Sequence, residues 1–185
     1  MKNPYAIGKT VYLRPPEEED LESDWYTWFS DPAITHFLAD RYLPNTKEKQ
    51  NQFFQESIKS STRIVLMIID KKNENLIGVC NLSNISWIHQ KAEIALVIGN
   101  KSYQRGTFAV ETLSLLLKIG FKRLNMRNLI TSRLSNNEST KALEKIFRFK
   151  EVAKFENFIF NDGIYQNLIY SQLSKKKWEE RNSSF

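Results

Sequence analysis

The chain has 185 residues, a length that predicts one domain with enough chain to bury a hydrophobic core. Hydrophobic residues make up 41% of it and charged residues 26%, a balance that excludes disordered and fibrous proteins. No apolar run approaches the roughly 18 residues that cross a bilayer, and the first residues lack the apolar segment of a signal peptide. We therefore expect no membrane partner and a cytoplasmic location.

Charge and cysteine content narrow the candidate partners further. The chain carries 27 basic and 21 acidic residues, and this net charge of +6 attracts anions such as nucleic acids or phosphate-bearing nucleotides. The basic residues are scattered apart from residues 175–177, which argues against direct nucleic-acid binding. A single cysteine, Cys80, allows no intrachain disulfide. His36 and His89 are too few and too far apart to predict a metal site, so we expect no metal.

The first elements in chain order are a strand and two helices. Residues 10–14 predict a strand, which ends at two prolines. Acidic residues then introduce a helix that carries Trp25 and Trp28 at helical spacing and stops near Asp31. A second helix is predicted to begin at Asn45 because Asn45 and Glu48 have capping-box spacing.

The rest of the chain alternates strands with two further helices. Residues 92–98 are apolar on both faces, which indicates a central strand, and residues 83–91 predict a loop. The predicted strands are 63–70, 76–82, 92–98, 128–134, 151–160 and 164–173, and the predicted helices are 107–121 and 139–147. Together they predict one α+β domain over residues 1–185, with about seven strands and about four helices.

A strand, a short loop and a helix at residues 93–109 form the most informative unit. A loop that leads into a helix presents unpaired backbone N–H groups and the positive end of the helix dipole, an arrangement that binds phosphate. Arg105 adds a positive charge, and Gly106 allows a sharp turn. The loop lacks the residues of a Walker A motif or a Rossmann fingerprint. Taken alone, it also fits an ordinary strand-to-helix connection.

Several further motifs occur along the chain in the same order as in a known family. The run Gln104-Arg105-Gly106-Thr107-Phe108-Ala109 resembles the Q/R-x-x-G-x-G/A loop of the GNAT acetyltransferase superfamily, in the branch with ribosomal-protein, spermidine and amino-sugar N-acetyltransferases. Asn137-Glu138-Ser139-Thr140 also matches, and the resemblance covers residues 11–178. It implies a mixed, mostly antiparallel sheet with a central splay. Two positions depart from the family: Thr107 stands where the first loop glycine falls, and Arg148 replaces the glycine before Phe149.

The resemblance implies acetyl-CoA as co-substrate. Backbone amides of the loop would bind the CoA diphosphate, and the edge of strand 92–98 would pair with the pantetheine arm, which hydrogen-bonds like a peptide. For Asn137, a role as helix cap is equally consistent, and the two roles are compatible. The implied acetyl-CoA contacts are Leu96, Val97, Ile98, Gln104, Arg105, Gly106, Thr107, Phe108, Ala109, Asn137 and Thr140.

The implied reaction moves an acetyl group to a primary amine by direct attack, and a base must deprotonate that amine. Glu93 is our candidate base because it is the only charged residue in strand 92–98; pairing with a cation is the alternative. Many relatives place a proton-donating tyrosine where this chain has Glu144. Tyr165 and Tyr170 are candidate substitutes, although aromatic residues are also common in half-buried strands.

The acceptor is less well determined. Trp28 and Trp87 are candidate substrate contacts, since aromatic faces bind sugars, bases and ammonium groups, while Trp25 and Phe29 are expected to pack inward. Polyamines, small-molecule amines such as an amino-sugar nucleotide, and protein N-termini all fit, and the net positive charge disfavours a polyamine. A non-catalytic acyl-CoA-binding or protein-docking module of the same fold remains the alternative. Relatives are commonly dimers, which makes a homodimer one expected assembly.

Overall fold

The computed structural model describes residues 1–38, 41–104 and 107–182. Eight strands form one sheet in the order β1-β2-β3-β4-β5-β6-β8-β7. The strands are β1 (Ala6–Ile7), β2 (Val11–Arg14), β3 (Ile64–Asp70), β4 (Leu76–Ser86), β5 (Lys91–Ile98), β6 (Asn128–Leu134), β7 (Lys150–Asn161) and β8 (Ile164–Ser174). The α-helices within the described residues are α1 (Trp25–Trp28), α2 (Pro32–Thr35), α3 (Lys47–Lys59), α4 (Phe108–Lys118), α5 (Glu138–Phe147) and α6 (Lys175–Asn182).

The predicted fold class is confirmed, with one short strand more than expected. All neighbouring strands are antiparallel except β5 and β6, which run parallel at the centre of the sheet. The additional strand is β1, whose two residues are too few to leave a periodic pattern in the sequence. Among the described residues, no helix is long and apolar enough to cross a membrane.

The first predicted helix is the main difference in secondary structure. It divides into a 3-10 turn at Glu18–Glu22 and α1, and the unpredicted helix α2 follows from Pro32. Asp31 ends the first part because its side chain accepts a hydrogen bond from the Ala33 backbone N–H at 2.9 Å and so starts a new helix, with Pro32 in its first turn.

Several predicted boundaries also shift. Thr46, and not Asn45, caps α3, because the Thr46 side chain accepts a hydrogen bond from the Lys49 N–H. The Asn45 side chain instead donates to the Tyr26 carbonyl and to Gln50. β4 continues to Ser86, which shortens the predicted loop to a tight turn, and α4 ends in a π-helical turn at Ile119–Arg123.

Each face of the sheet carries its own hydrophobic core. The larger core includes even-numbered residues of β5, such as Ile94, and packs against α4, α5 and α6. The smaller core lies on the opposite face, where Trp25 and Phe54 cover β3 and Val79. Residues two apart in a strand share a face, so odd-numbered residues of β5 face the smaller core.

A buried ion pair fixes α5 to the sheet. Arg133 on β6 donates through Nε to the Glu144 carboxylate at 2.9 Å, and both side chains are buried. Thr131 donates its hydroxyl to the other Glu144 oxygen at 2.6 Å, while Arg133 also bonds to Glu151 on β7. These bonds satisfy charges that would otherwise be costly to bury.

The C-terminus of α5 contains a strained residue. Arg148 has φ 59° and ψ 38°, the left-handed conformation, and its backbone N–H reaches the Glu144 and Lys145 carbonyls. A left-handed residue with a side chain is about 1 kcal/mol less stable than glycine there. Arg148, which stands where the family has glycine, therefore strains the backbone at the C-terminal cap of α5.

Replacing this arginine by glycine should stabilise the fold. We expect Arg148→Gly to raise the free energy of unfolding by about 1 kcal/mol, because the left-handed cap suits a residue without Cβ. Urea denaturation would measure the change. Arg148→Ala, which also removes the charge but keeps Cβ, is the matched control and should show no such gain; equal effects would contradict the backbone explanation.

Removing the buried carboxylate on α5 should be strongly destabilising. Glu144→Ala leaves the buried Arg133 charge with only the exposed Glu151 as an ionic partner, and we expect a loss of about 3 kcal/mol in unfolding free energy. Glu138→Ala removes an exposed carboxylate from the same helix and should change stability by at most about 0.5 kcal/mol. A loss below about 1 kcal/mol for Glu144→Ala would show that the pair does not hold α5.

Candidate functional site

The two central strands separate halfway along their length. The parallel register of β5 and β6 runs from Lys91↔Asn128 to Glu93↔Ile130 and then ends, while β5 stays paired with β4 as far as Ile98. The part of β5 from Ile94 onward thus turns one backbone edge towards the gap. Backbone N–H and C=O groups at such an edge pair readily with an amide-containing chain. Leu96, Val97 and Ile98 lie on this segment.

The helix that follows β5 begins close to the end of that strand, where Gln104 bonds to Ile98. Thr107 is the N-cap of α4 and forms no side-chain cap bond with any part of the chain that the structure describes. Phe108 and Ala109 form the first turn, where backbone N–H groups point outward and the helix dipole favours an anion. Arg105 and Gly106, which were expected to complete this loop, lie outside the described residues.

The connection between β5 and α4 is held in place from both sides. Tyr103 bonds through its hydroxyl to Asp70 at 3.1 Å and packs edge-on against the Phe108 ring. The Gln104 side chain donates to the Ile98 carbonyl at 3.2 Å. These contacts orient the start of α4 relative to the end of β5.

Glu111 on α4 bonds away from this helix terminus. Its carboxylate accepts hydrogen bonds from the Lys9 and Thr10 backbone amides in the turn between β1 and β2. A Cβ at Gly8 would meet the Glu111 carboxylate, so a larger residue there would displace this side chain. The negative charge at the start of α4 is thus bound within the fold.

Asn137 and Thr140 lie where β6 leads into α5. Asn137 is the N-cap of α5, and its Oδ1 accepts a hydrogen bond from the Thr140 N–H at 3.0 Å. The cap role considered for Asn137 is therefore present. Glu144, at the position of the family's tyrosine, is bonded to Arg133 and Thr131.

A cavity of about 500 Å³ lies on the face of the sheet opposite α4. Its floor consists of Val79, Asn81, Ala95 and Val97 from β4 and β5, and Leu96 also borders it. The remaining lining residues come from the α1 to α3 region and are Trp25, Phe29, Thr35, Leu38, Arg41, Leu43, Pro44, Asn45, Lys49, Gln50 and Phe53. The volume suits a small organic molecule.

The hairpin formed by β7 and β8 holds one wall of this cavity. Arg41 donates to the Asn161 side chain at 2.9 Å and also forms an ion pair with Asp162 at the hairpin turn. Tyr42 donates to the Phe160 carbonyl at 3.1 Å and accepts from the Asp162 N–H at 2.9 Å. The cavity wall is thus fixed by residues about 120 positions away in the chain.

Glu93 lies beside the cavity floor. It pairs with Ser83 across β4 and β5 and shares its face with Ala95, about 6.6 Å further along the strand. Its side chain is half-buried, in contrast to the fully buried setting that the apolar strand suggested. The carboxylate therefore lies at the place where β6 leaves β5, on the cavity side.

The aromatic candidates have different positions. Trp28 is 5% exposed and packs over Gly99, where an added Cβ would lie 1.9 Å from the indole. Trp25 and Phe29 pack in the smaller core as expected, and they also line the cavity, which Trp28 does not. Trp87 is 51% exposed in the turn after β4 and donates to the Ser61 carbonyl.

Tyr165 lies at the tip of the β7–β8 hairpin, 62% exposed, with its ring against Phe160. Cys80 is buried, and burial raises the pKa of its thiol far above the usual range, so it stays protonated. No group of three or more His, Cys, Asp or Glu side chains within the described ranges could hold a metal ion.

Sequence reasoning missed the cavity residues on α3 and β4. Phe53 and Gln50 lie in the second predicted helix, and no sequence pattern marked them as site residues. Asn81 was the available signal, since it is a polar residue within an otherwise apolar strand and shares the cavity face with Val79.

Comparison with curated proteins gives relatives of moderate similarity. The chain is 25% identical over 105 residues to a putative ribosomal N-acetyltransferase, YdaF, from Bacillus subtilis (strain 168), a match that covers 57% of this chain and 57% of that relative. The match thus spans less than two thirds of that relative. The chain is 27% identical over 143 residues to the uncharacterized N-acetyltransferase p20 of Bacillus licheniformis, covering 75% and 79% of the two chains.

Solved structures share the fold. A spermidine N-acetyltransferase from Vibrio cholerae, solved in complex with CoA and spermine, matches with a TM-score of 0.85 and 21% identity, covering 93% of this chain and 99% of that one. A GNAT-family acetyltransferase from Bacillus anthracis matches with a TM-score of 0.79 and 18% identity, covering 92% and 98%.

The family assignment rests on the sequence itself. The family model described as an acetyltransferase (GNAT) domain matches residues 10–146, which is more than half of the chain. The resemblance and the acyltransferase class predicted from the sequence are confirmed at the level of this family. With its split central strands, its α4 terminus and this match, the chain belongs to the GNAT acetyltransferase domain family.

Proposed function

We propose that the protein is an N-acetyltransferase that moves an acetyl group from acetyl-CoA to a primary amine, either a small molecule or a protein N-terminus. The observation that carries this proposal is the gap between β5 and β6 beside the start of α4. It offers a backbone edge and a helix N-terminus side by side, the two features that an amide-rich arm and a diphosphate require.

The gap would hold the co-substrate through main-chain groups. Amides of Thr107, Phe108 and Ala109 would bind the diphosphate, and Arg105 would add a positive charge. The edge of β5 from Leu96 to Ile98 would pair with the pantetheine arm. Family membership and the CoA complex of the Vibrio cholerae structure support this placement.

Glu93 is positioned to accept a proton from the acceptor amine. An alkyl ammonium has a pKa of about 10.4, so the amine enters mostly protonated and must lose a proton before it attacks. The neutral nitrogen then adds to the thioester carbonyl, the carbon–sulfur bond breaks, and the thiolate takes up a proton. The products are the N-acetylated amine, CoA thiol and one released proton. Glu93 accepts that proton directly or through a water.

Protonation of the leaving thiolate involves another group. Glu144 is bound to Arg133 and Thr131, so it does not replace the family's tyrosine as a donor. Tyr165 on the exposed hairpin, or solvent, would supply the proton. Cys80 belongs to the core on the α4 side, and its protonated, buried thiol argues for direct attack and against a covalent acyl-enzyme.

Acetyl-CoA should stabilise the folded protein. At 100 times Kd, a ligand of the native state adds about 2.7 kcal/mol, which corresponds to a rise in Tm of roughly 5–10 °C for a chain of this length.

Thr107→Asp should keep or raise the Tm of the free protein, because aspartate caps helices well. The same substitution should weaken the binding of acetyl-CoA at least about tenfold, because the new carboxylate repels the diphosphate. Differential scanning fluorimetry with a ligand titration would measure both.

The control for this variant is Thr107→Ser, which keeps the neutral cap and should bind acetyl-CoA as the parent does. If saturating acetyl-CoA does not raise the Tm of the parent protein, the proposed function is wrong. If acetyl-CoA raises the Tm of Thr107→Asp and Thr107→Ser equally, the diphosphate does not bind at the start of α4.

Glu93→Gln should lower kcat by about 100-fold or more at neutral pH while the acetyl-CoA shift in Tm persists, because only the proton acceptor is lost. The deficit should shrink as pH approaches the amine pKa of about 10.4, since free amine then forms without a base. Thiol release at a series of pH values is the measurement. Glu156→Gln, an exposed carboxylate on β7, is the control. An unchanged kcat would remove Glu93 from the mechanism.

The thiol-release assay also distinguishes the proposed enzyme from a non-catalytic acyl-CoA-binding module. Such a module would show the acetyl-CoA shift in Tm with no thiol release for any amine. The half-buried carboxylate beside an open cavity favours the enzyme, because a binding module has no use for a proton acceptor at the edge of the gap.

A further inference from the structure

The charge distribution around the cavity on the β4–β5 face distinguishes between acceptor amines. Its lining in the described residues contains two cationic side chains, Arg41 and Lys49, and neither aspartate nor glutamate. Arg41 is occupied by Asp162 and Asn161. Lys49 is exposed, and its Nζ donates to the Pro44 carbonyl at 3.0 Å, a neutral partner. Apart from Glu93 at its edge, the described lining of the cavity therefore carries cationic side chains and no carboxylate.

Most of the remaining wall is apolar or already hydrogen-bonded. Trp25 and Phe53 meet edge to face at 6.2 Å and form an aromatic side. Among the polar lining groups, Thr35 donates to the Asp31 carbonyl and the Asn45 side chain donates to Gln50. A ligand with many hydroxyl groups would find few free partners here, whereas an apolar body would contact ring faces.

Asn81 is the polar exception on the floor. It lies opposite Ala95 on β5, and its half-buried side chain borders the cavity. The buried Oδ1 of Asn81 has no hydrogen-bond partner within the described chain. An unpaired amide in the middle of a sheet is unfavourable, so its presence on the cavity floor points to a bond with a bound molecule.

Resting on the proposed function, we infer that the cavity selects acceptors with a single primary amine on an apolar or aromatic body, held by the Asn81 carboxamide, and rejects polyamines. Two sources share this chemistry: a free aralkylamine, and a polypeptide N-terminus whose first side chain is large and apolar. A polyamine would have to bury a second ammonium beside Lys49 without a carboxylate partner among the described lining residues.

An acceptor panel tests this inference. Thiol release from acetyl-CoA would be measured with phenethylamine, a short peptide amide beginning with phenylalanine, spermidine and glucosamine 6-phosphate. We expect kcat/KM for phenethylamine or the peptide to exceed that for spermidine and the amino sugar by at least tenfold. Preference for phenethylamine over the peptide identifies a free amine as the source, and the reverse preference identifies a polypeptide.

Reversing the charge at the cavity mouth is the sharper test. Lys49→Glu supplies the missing carboxylate and should raise kcat/KM for spermidine relative to phenethylamine by about fivefold or more. Glutamate suits the first turn of α3, so the fold should persist. Lys59→Glu changes the net charge equally at the far end of the same helix, away from the cavity, and should leave the ratio unchanged.

The role of Asn81 is tested by Asn81→Leu, which has a similar volume and no hydrogen-bonding group. The KM for the preferred amine should rise about tenfold or more, while kcat falls less and the acetyl-CoA shift in Tm remains. Asn81→Gln keeps the carboxamide and should recover part of the loss. An unchanged KM for Asn81→Leu would show that Asn81 does not touch the acceptor.

The outcomes separate this inference from the proposed function. Turnover in which spermidine or glucosamine 6-phosphate is preferred would overturn the inference and leave the acetyltransferase intact. An equal shift of the amine ratio in Lys49→Glu and Lys59→Glu would also overturn it. Absence of both thiol release and an acetyl-CoA shift in Tm would instead overturn the proposed function.

Discussion

Backbone hydrogen bonding between β5 and β6 sets the layout of the candidate site, because it stops at Glu93 and Ile130. Buried backbone groups need partners, so a central strand that loses its neighbour creates a demand that an extended amide-rich chain can meet. The antiparallel pairing of β4 with β5 continues to Ile98 and keeps the open edge straight. The split is therefore a stable part of the sheet, with α4 beginning beside it.

The two faces of the sheet are covered by different elements. On one face, α4 and α5 cover the larger core, and the ion pair of Glu144 with Arg133 holds α5 against β6. On the other face, the short helices and α3 cover β3 but leave β4 and β5 open beneath the cavity. Glu93 lies on this second face, so an acceptor amine would approach from the side opposite the α4 core.

Departures from the family pattern have different physical meanings. Arg148 adopts the left-handed conformation that glycine adopts more easily, which is a local cost at the end of α5. Glu144, near the position where many relatives have a tyrosine, is a structural carboxylate bonded to Arg133 and Thr131. Thr107 adds a side chain at the helix N-cap without using it to cap the helix within the described chain.

The sequence by itself determined seven of the eight strands, the helices α4 and α5, and the family, because periodicity and contiguous motifs are local properties. It also made Glu93 and Asn137 candidates by their type and position, and the structure confirms the role of Asn137 as a helix cap. Tertiary structure alone decided that Trp25 and Phe29 line the cavity while Trp28 packs over Gly99, since which side of a short helix faces a cavity depends on distant packing. The bond from Arg41 to Asp162 joins residues far apart in the chain, and the bond from Glu144 to Arg133 joins a helix to a strand; no local pattern specifies either pair.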